Sequence, residues 1–295
     1  MADTIPYQGN ANVVQHVTHV DARFLVLWLH GKSEKTIRAY TSEIARYYAT
    51  TGKSLQETRL EDVYQFVDSL VHLAPASRNR ALAAVKSALS FGVKSGYLKV
   101  NVGLLARLPK LEDRLAERIM SEASVARLLA LEENRRNHAI LVLLYRAGLR
   151  CAELCNLTWR NLQERDETGQ VTVYGKGDKT RSVLLTHDTW LEVMALPHAD
   201  SYVFTSRQAR SRAGKADRRL DESTVFRIVQ VAARRAGIAG NVSPHWMRHA
   251  HATHALENGA PITLVKETLG HKSIETTAKY THVRPNASSG QYLKV

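Results

Sequence analysis

Apolar residues recur at helical spacing from about Val17 to Val102. Phe24, Leu25, Leu27 and Trp28 form a first cluster. Ser33 opens the stretch SEKTIRAY and is placed to cap a helix carrying Ile37, Tyr40, Ile44 and Tyr47 at i, i+3 and i+4. Leu60 to Leu73 repeats the pattern with Val63, Phe66, Val67 and Leu70. Ala74-Pro75 breaks it, and an alanine-rich helix over Ser77–Gly92 follows. Four or five short helices of this kind predict a small bundle.

Residues 103–120 mix proline, charge and apolar side chains, as a partly helical linker does. Beyond them the pattern predicts helices over Ser121–Leu131 (with Ser121 as cap), His138–Ala147 (ending at Gly148) and Ala152–Leu162. The period then changes from helical to alternating. Gln170–Tyr174 and Arg181–Leu185 read as two strands joined by the hairpin loop Gly-Lys-Gly-Asp-Lys-Thr. Ser201–Thr205 reads as another short strand, and Arg207–Arg219 as a basic loop. Helices return over Glu222–Ala236, His245–Asn258, Ile262–Leu269 and Ser273–Thr281, punctuated by Gly237, Gly259-Ala260-Pro261 and Gly270. The expected class is mainly α with a small β-sheet, in two domains.

Charge adds a partner to this outline. The 295 residues carry 41 Lys+Arg against 28 Asp+Glu, a formal excess of +13. Residues 1–110 hold 14 basic and 8 acidic side chains, so both halves share the excess and neither is merely a basic tail. A polyanion touched by both domains is the natural counterpart. In the first half Lys35, Arg38, Arg78, Arg80 and Lys86 lie beside the apolar stripes and are candidate phosphate contacts, with an ordinary solvated face as the alternative for each. The two cysteines, Cys151 and Cys155, cannot make a disulfide framework, and no apolar run reaches the roughly 20 residues of a membrane helix. The N-terminus lacks the layout of a signal peptide. The expectation is a soluble protein of the cytoplasm.

Several chemistries have no signature. GxxxxGK[ST], GxGxxG, GxSxG and HExxH are all absent, which argues against nucleotide, serine-hydrolase and zinc-protease sites. Four histidines crowd into HWMRHAHATH (245–254) without an acidic partner between them, a poor metal set. A phosphodiester substrate fits better. It needs fixed cations around its non-bridging oxygens, a nucleophile and a proton donor for the leaving oxygen. Arg150 follows Gly148-Leu149 at a helix break, and Lys176 lies in the hairpin loop. His245 and Arg248 share a helix face, His271 follows Gly270, and Tyr280 ends a short helix. Taken singly, each of these has a bland structural reading.

As a set they resemble a known family. AGLRCAELCNL (147–157), GKGDKTRSVLL (175–185), SPHWMRHAHATHALENGAP (243–261) and LGHKSIETTAKYTHV (269–283) together are similar to the motifs of the tyrosine site-specific recombinases, the phage-integrase or Xer-like type. The resemblance implies a flexible arm (1–15), a helical SAM-like core-binding domain (16–105), a linker (106–120), a mixed, mostly helical catalytic domain (121–283) and a tail (284–295). It implies that Tyr280 attacks the scissile phosphate to form a 3′-phosphotyrosyl link, and that Arg150 and Arg248 clamp the non-bridging oxygens. Lys176 would protonate the departing 5′-oxygen, His245 would assist proton transfer, and His271 would bind the phosphate or position the tyrosine. Glu153 would buttress Arg150. Apart from the resemblance, Lys179 is a rival to Lys176 and, with Arg181, a candidate DNA contact, and His249, His251 and His254 read as packing or hydrogen-bonding residues. No metal, ATP or other cofactor is implied.

The implied partner is duplex DNA with inverted half-sites, bound by a homotetramer, with or without a second recombinase, that exchanges strands through a Holliday junction. Integration, excision and resolution of DNA elements all fit. A type IB-like topoisomerase and an inactive DNA-binding accessory protein are the competing readings. Two departures stand out. Trp246 and Met247 replace the usual polar residue and leucine, and the chain beyond Tyr280 is short and interrupted by Arg284-Pro285-Asn286.

Overall fold

The computed structural model describes residues 19–107, 115–174, 180–198, 201–206 and 219–281. The chain divides between residues 112 and 113 into two compact units. The expected arm, the hairpin tip with Lys176 and Lys179, most of the basic loop after Ser206 and the C-terminal tail lie outside the described residues.

The first unit holds α1 (His19–Leu29), α2 (Glu34–Thr51), α3 (Leu60–Ser69) and α4 (Pro75–Lys94). Local chemistry sets their ends. The Ser33 hydroxyl accepts from the Thr36 amide at 3.3 Å, and Gly52 closes α2 at φ 65 with its amide on the Tyr48 carbonyl. The Asp62 carboxylate accepts from the Arg59 amide at 2.8 Å, and Pro75 opens α4. The apolar stripes meet in one core of Phe24, Trp28, Ile44, Tyr47, Phe66, Leu82, Val85 and Leu89.

Inside that core lies a carboxylate. Asp21 is 0 % exposed, and it accepts from the Tyr48 hydroxyl and the Leu55 amide at 2.8 Å and from the Tyr97 hydroxyl at 2.6 Å. Three points distant in sequence are thereby tied to α1. Burial, and then the Asp21 charge, push the Tyr48 phenol up, so it stays a donor.

Of the five basic residues expected to face phosphates in this unit, Lys35, Arg38 and Arg80 are exposed. Arg38 pairs with Glu34 and Arg80 with Glu43, both at 3.4 Å. Arg78 is half-buried. Lys86 departs from expectation, because its ammonium donates to the Ala106 carbonyl at 2.8 Å and so fastens the end of the unit to α4.

The second unit begins with α5 (Glu122–Ala130), α6 (Arg135–Arg146) and α7 (Cys151–Cys155). Strands β1 (Leu162–Arg165), β2 (Thr168–Tyr174) and β3 (Thr180–Leu185) follow, then α8 (His187–Met194). The unit closes with α9 (Glu222–Arg235), α10 (Pro244–Glu257), α11 (Ile262–Leu269) and α12 (Ile274–Ala278). Ile140 to Leu144 of α6 are buried on every side, so this helix is the spine on which α5, α7, α8, α9 and α10 pack. The sheet is antiparallel in the order β1-β2-β3, with Val171 opposite Leu162 and Val183. Val171 and Val173 face the core and alternate with outward residues, as the period of two requires. Gly169 lies under Trp190, where a Cβ would stand 2.1 Å from the indole ring.

Three expectations need correction. The helix expected over 152–162 stops at Cys155. The Asn161 side chain accepts from both the amide (2.8 Å) and the hydroxyl (2.7 Å) of Thr158, and that local pair turns the chain through a 3-10 turn into β1. The strand expected over 201–205 is reduced to two isolated bridges, Thr158 to Tyr202 and Thr205 to Arg219. Helix α8 went unread. Its cap is Thr186, whose hydroxyl accepts from the Thr189 amide at 3.4 Å. Among the described residues no helix is long and apolar enough to cross a membrane.

Replacing Asp21 with Ala leaves two buried hydroxyls and an amide without this acceptor, a loss of about 3 kcal/mol or more. Hydrogen exchange should show that loss in the amides of α1–α4 while those of α6 and α10 keep their protection.

Candidate active site

The site grows from the C-terminal end of α11. The last carbonyls of a helix have no intrahelical donor and carry the negative end of its dipole. Gly270 ends α11 in the left-handed region at φ 62, with its own amide on Glu267 and the His271 amide on Lys266. Three consecutive carbonyls then receive three arginines from three other elements. The Thr268 carbonyl accepts from Arg181 Nε at 2.7 Å, the Leu269 carbonyl from Arg248 Nη2, and the Gly270 carbonyl from Arg150 Nη2 at 3.0 Å.

Two glycines make this convergence possible. A Cβ on Gly270 would stand 3.1 Å from the Arg181 side chain. Gly148, at φ 58, offers its carbonyl to Arg248 Nη1, and a Cβ there would stand 2.7 Å from Leu269. Any L side chain at either position is strained and obstructed.

Glu153 supplies the counter-charge. Arg181 grips it bidentately, Nη1 and Nη2 each at 2.8 Å, and Arg150 reaches it through Nη1 and its own backbone amide, each at 2.7 Å. The carboxylate side chain is 7 % exposed. Burial works to raise its pKa, but the hydrogen bonds from Arg181 and Arg150 outweigh that and hold it at about 2. Arg181, expected at the DNA, is thus turned inward: its side chain is 11 % exposed and three of its nitrogens donate to protein. Arg150 stays open, with a side chain 38 % exposed.

Arg248 is 4 % exposed. Burial and the charge of Arg150 push its pKa down to about 9, and it remains cationic at neutral pH. One turn apart on the same face of α10 stand His245 and His249, ring centroids 6.0 Å apart. His249 Nδ1 lies 2.7 Å from the hydroxyl oxygen of Tyr280. Tyr280 follows α12, its ring seated in a small apolar cluster with Ile119, Ala252, Val265 and Leu269. His271 stacks on that ring, centroids 6.3 Å apart, and its Nδ1 shares a hydrogen bond of 2.9 Å with the Thr277 hydroxyl. Burial, then Arg248 and Arg150, push the His271 pKa down to about 4. Crowding by protein atoms and the same two arginines lower that of His245 as well, although its residue is exposed.

The other histidines of α10 are spent on structure. His251 Nδ1 donates to the Tyr145 carbonyl at 2.7 Å. His254 Nε2 donates to the Met120 carbonyl at 2.9 Å, so its Nδ1 accepts the Tyr145 hydroxyl proton, also at 2.9 Å. Among the described residues no three His, Cys, Asp or Glu side chains gather as a metal site. A groove of about 850 Å³ opens beside the arginines, lined in part by Arg150, Asn156, Tyr174, Arg181, His271 and Lys272.

Arg150, Glu153, His245, Arg248, His271 and Tyr280, scattered over 131 positions of sequence, therefore meet in one place. Lys176 lies outside the described residues. From the sequence His249 reads only as a packing or hydrogen-bonding residue, and its partner proves to be the Tyr280 hydroxyl, although its i+4 relation to His245 already places the two on one helix face. An arrangement of fixed guanidinia around a tyrosine hydroxyl suits an anion that gains charge as an oxygen nucleophile attacks it.

Comparison with known proteins points the same way. Residues 116–287 match the model of the phage integrase family, and residues 22–96 that of the phage integrase N-terminal SAM-like domain. The tyrosine recombinase XerC of Corynebacterium efficiens is 32% identical over 268 residues, covering 86% of this chain and 82% of the relative. The tyrosine recombinase XerD of Oceanobacillus iheyensis is 33% identical over 269 residues, covering 86% and 89%. Among solved structures, a lambda integrase dimer bound to a COC′ core site superposes with a TM-score of 0.70 at 16% identity, over 91% of this chain and 96% of that one. XerH bound to its difH substrate in a pre-cleavage complex superposes with a TM-score of 0.66 at 18% identity, over 87% and 77%. These two likenesses speak to the fold.

Two outcomes follow from the electrostatics. Replacing Glu153 with Gln leaves Arg181 and Arg150 without their counter-charge and should lower unfolding stability by about 3 kcal/mol in urea titrations. The histidines set a pH dependence. The folded pKa of His271 lies below its unfolded value, so the unfolded chain binds more protons between about pH 6.5 and 4. Stability should fall as pH drops through that window, and the lowered Glu153 adds a further loss only from about 4.5 toward 2. Thermal midpoints against pH should be flatter for His271→Gln than for wild type between pH 6.5 and 4.5.

Proposed function

The chain belongs to the phage integrase family of tyrosine recombinases, and on that premise we propose that it cuts and rejoins duplex DNA at specific sites through a covalent link to Tyr280. The observation that carries the reading is the placement of the Tyr280 hydroxyl among histidines beside arginines locked onto the end of α11.

In this reaction the Tyr280 oxygen attacks the scissile phosphorus and the 5′-oxygen leaves, yielding a 3′-phosphotyrosyl strand end. Arg150 and Arg248 stabilise the charge that grows on the non-bridging oxygens. Their carbonyl and carboxylate partners fix both guanidinia before DNA arrives, so no reorganisation is needed at the moment of attack. The Thr277 hydroxyl occupies His271 Nδ1 and leaves Nε2 for the phosphate. His245 assists proton transfer, and Lys176 protonates the leaving oxygen. The tyrosyl phosphodiester conserves the energy of the bond it replaces, so rejoining requires neither ATP nor a metal ion.

The exposed cations of the helical unit, Lys35, Arg38 and Arg80, and Lys179 of the hairpin serve as backbone grip. The domains assigned from the sequence, core-binding 16–105 and catalytic 121–283, divide grip from chemistry. Two half-sites in inverted repeat, four subunits, a Holliday junction and a cytoplasmic setting complete the proposal.

A site can be selected from a pool of random duplexes by binding and cleavage, then nicked so that the cleaved strand fragment diffuses away. The wild-type chain should accumulate a covalent protein–DNA adduct and Tyr280→Phe none. Absence of adduct with wild type, or its persistence in Tyr280→Phe, overturns the assignment. Arg150→Ala should slow adduct formation at least about 100-fold, corresponding to about 3 kcal/mol of transition-state stabilisation, with DNA binding changed only a few-fold. A chelator should leave the rate intact.

A further inference from the structure

The proposed chemistry has His245 assist proton transfer but names no group that receives the tyrosine proton. A phenol has a pKa near 10, so at neutral pH only about one in a thousand is ionised. Three cations on the neighbouring carbonyls favour the phenolate but accept no proton, since guanidinium has no basic nitrogen lone pair. An imidazole within hydrogen-bond reach supplies both needs, because its ordinary pKa lies near neutrality.

The geometry singles out one imidazole. His249 Nδ1 stands 2.7 Å from Tyr280 Oη, inside the range for direct proton transfer. The His271 ring is 6.3 Å from the tyrosine ring by centroids, and its Nδ1 is engaged with Thr277. His245 stacks on His249 from one turn away, ring centroids 6.0 Å apart. His249 is also carried by the helix that carries the buried Arg248, whose guanidinium is fixed to the Gly148 and Leu269 carbonyls. Its backbone is therefore held in register with the phosphate clamp. Among the described residues, His245 of the same helix, His271 after α11 and Tyr280 itself are groups that face it.

We propose that His249 is the catalytic base that receives the Tyr280 hydroxyl proton, a role resting on the reading of Tyr280 as nucleophile. As the Oη–P bond forms, the proton passes from Oη to Nδ1 and the P–O5′ bond breaks. O5′ takes a separate proton from its own donor, Lys176. The products are a tyrosyl phosphodiester, a 5′-hydroxyl and an imidazolium at His249. In rejoining, the 5′-hydroxyl attacks, the P–Oη bond breaks and the imidazolium returns its proton to Oη. The anionic phosphate between the arginines offsets their repulsion of that imidazolium.

The test separates a base from a mere positioning residue. His249→Asn keeps a hydrogen-bonding atom close to the place of Nδ1 but cannot hold the transferred proton, whereas His249→Ala removes both functions. Adduct formation is followed in single turnover on the selected nicked duplex at saturating protein, with thermal midpoint and duplex affinity measured alongside. Both variants should form adduct at least about 100-fold more slowly than wild type with affinity nearly unchanged, and added imidazole should restore part of the rate of His249→Ala.

His249→Asn within about threefold of wild type overturns the proposal, as does a loss of rate that imidazole leaves unmoved. A wild-type measurement guards against variants that fail to fold. Nitrogen-15 spectra of labelled histidine should show His249 Nδ1 without a proton at neutral pH, and a proton there, donated to Oη, overturns the proposal equally. Failure of the wild-type chain to form any adduct would instead overturn the assignment of Tyr280.

Discussion

The second unit is arranged around three guanidinia on three successive carbonyls at the end of α11. Three like charges brought this close repel one another. The fold answers with a helix end that has exposed oxygens to offer and with a single buried carboxylate, Glu153, shared between two of the three arginines. The compensation is incomplete by design of the parts: three full positive charges face one full negative charge and a fractional helix-end charge. An excess of positive potential is left standing beside Tyr280, which on the proposed reading an incoming phosphate diester neutralises. Burial, and after it the same excess, lowers the pKa of His271 and His245.

The cluster depends on backbone geometry as much as on charge. Gly148 and Gly270 give up their side chains so that α10, α11 and the turn before α7 come within contact distance. Each also presents its carbonyl to an arginine. The helical unit solves a similar problem differently. Asp21, buried with no cation against it, is satisfied wholly by neutral donors, two phenols and an amide. One unit uses a carboxylate to gather chain segments, and the other uses it to hold cations in place.

Much of this was legible in the chain. The apolar period placed α2, α9, α10 and α11 closely, because each carries a long stripe and an end signal such as Ser33 or Gly270. The convergence of Arg150, Arg248, His271 and Tyr280 was legible only as a set of motifs in order, since none of the four is distinctive alone. What escaped was decided by pairing across distance. Arg181 looked like one more basic residue of a hairpin, and nothing in its neighbourhood announces Glu153, 28 positions earlier. The early end of α7 came from a Thr158–Asn161 side-chain pair that competes with the helix, a contest that hydrophobic spacing does not register. His249 was hidden by abundance, being one of four histidines in ten residues, two of which serve packing.

The seat of Tyr280 separates two kinds of stability. Its ring packs in a cluster of five buried residues distinct from the main core of the unit, and α12 before it buries only Thr277. Among the described residues the seat of Tyr280 is therefore small, while the arginine cradle rests on α7, α10, α11 and the sheet. The free energy that seats this ring is local, as a five-residue cluster apart from the main core implies. Selection can tune the seat of Tyr280 through a handful of side chains without touching the main core, so placement of this hydroxyl and resistance to unfolding are free to evolve on separate axes.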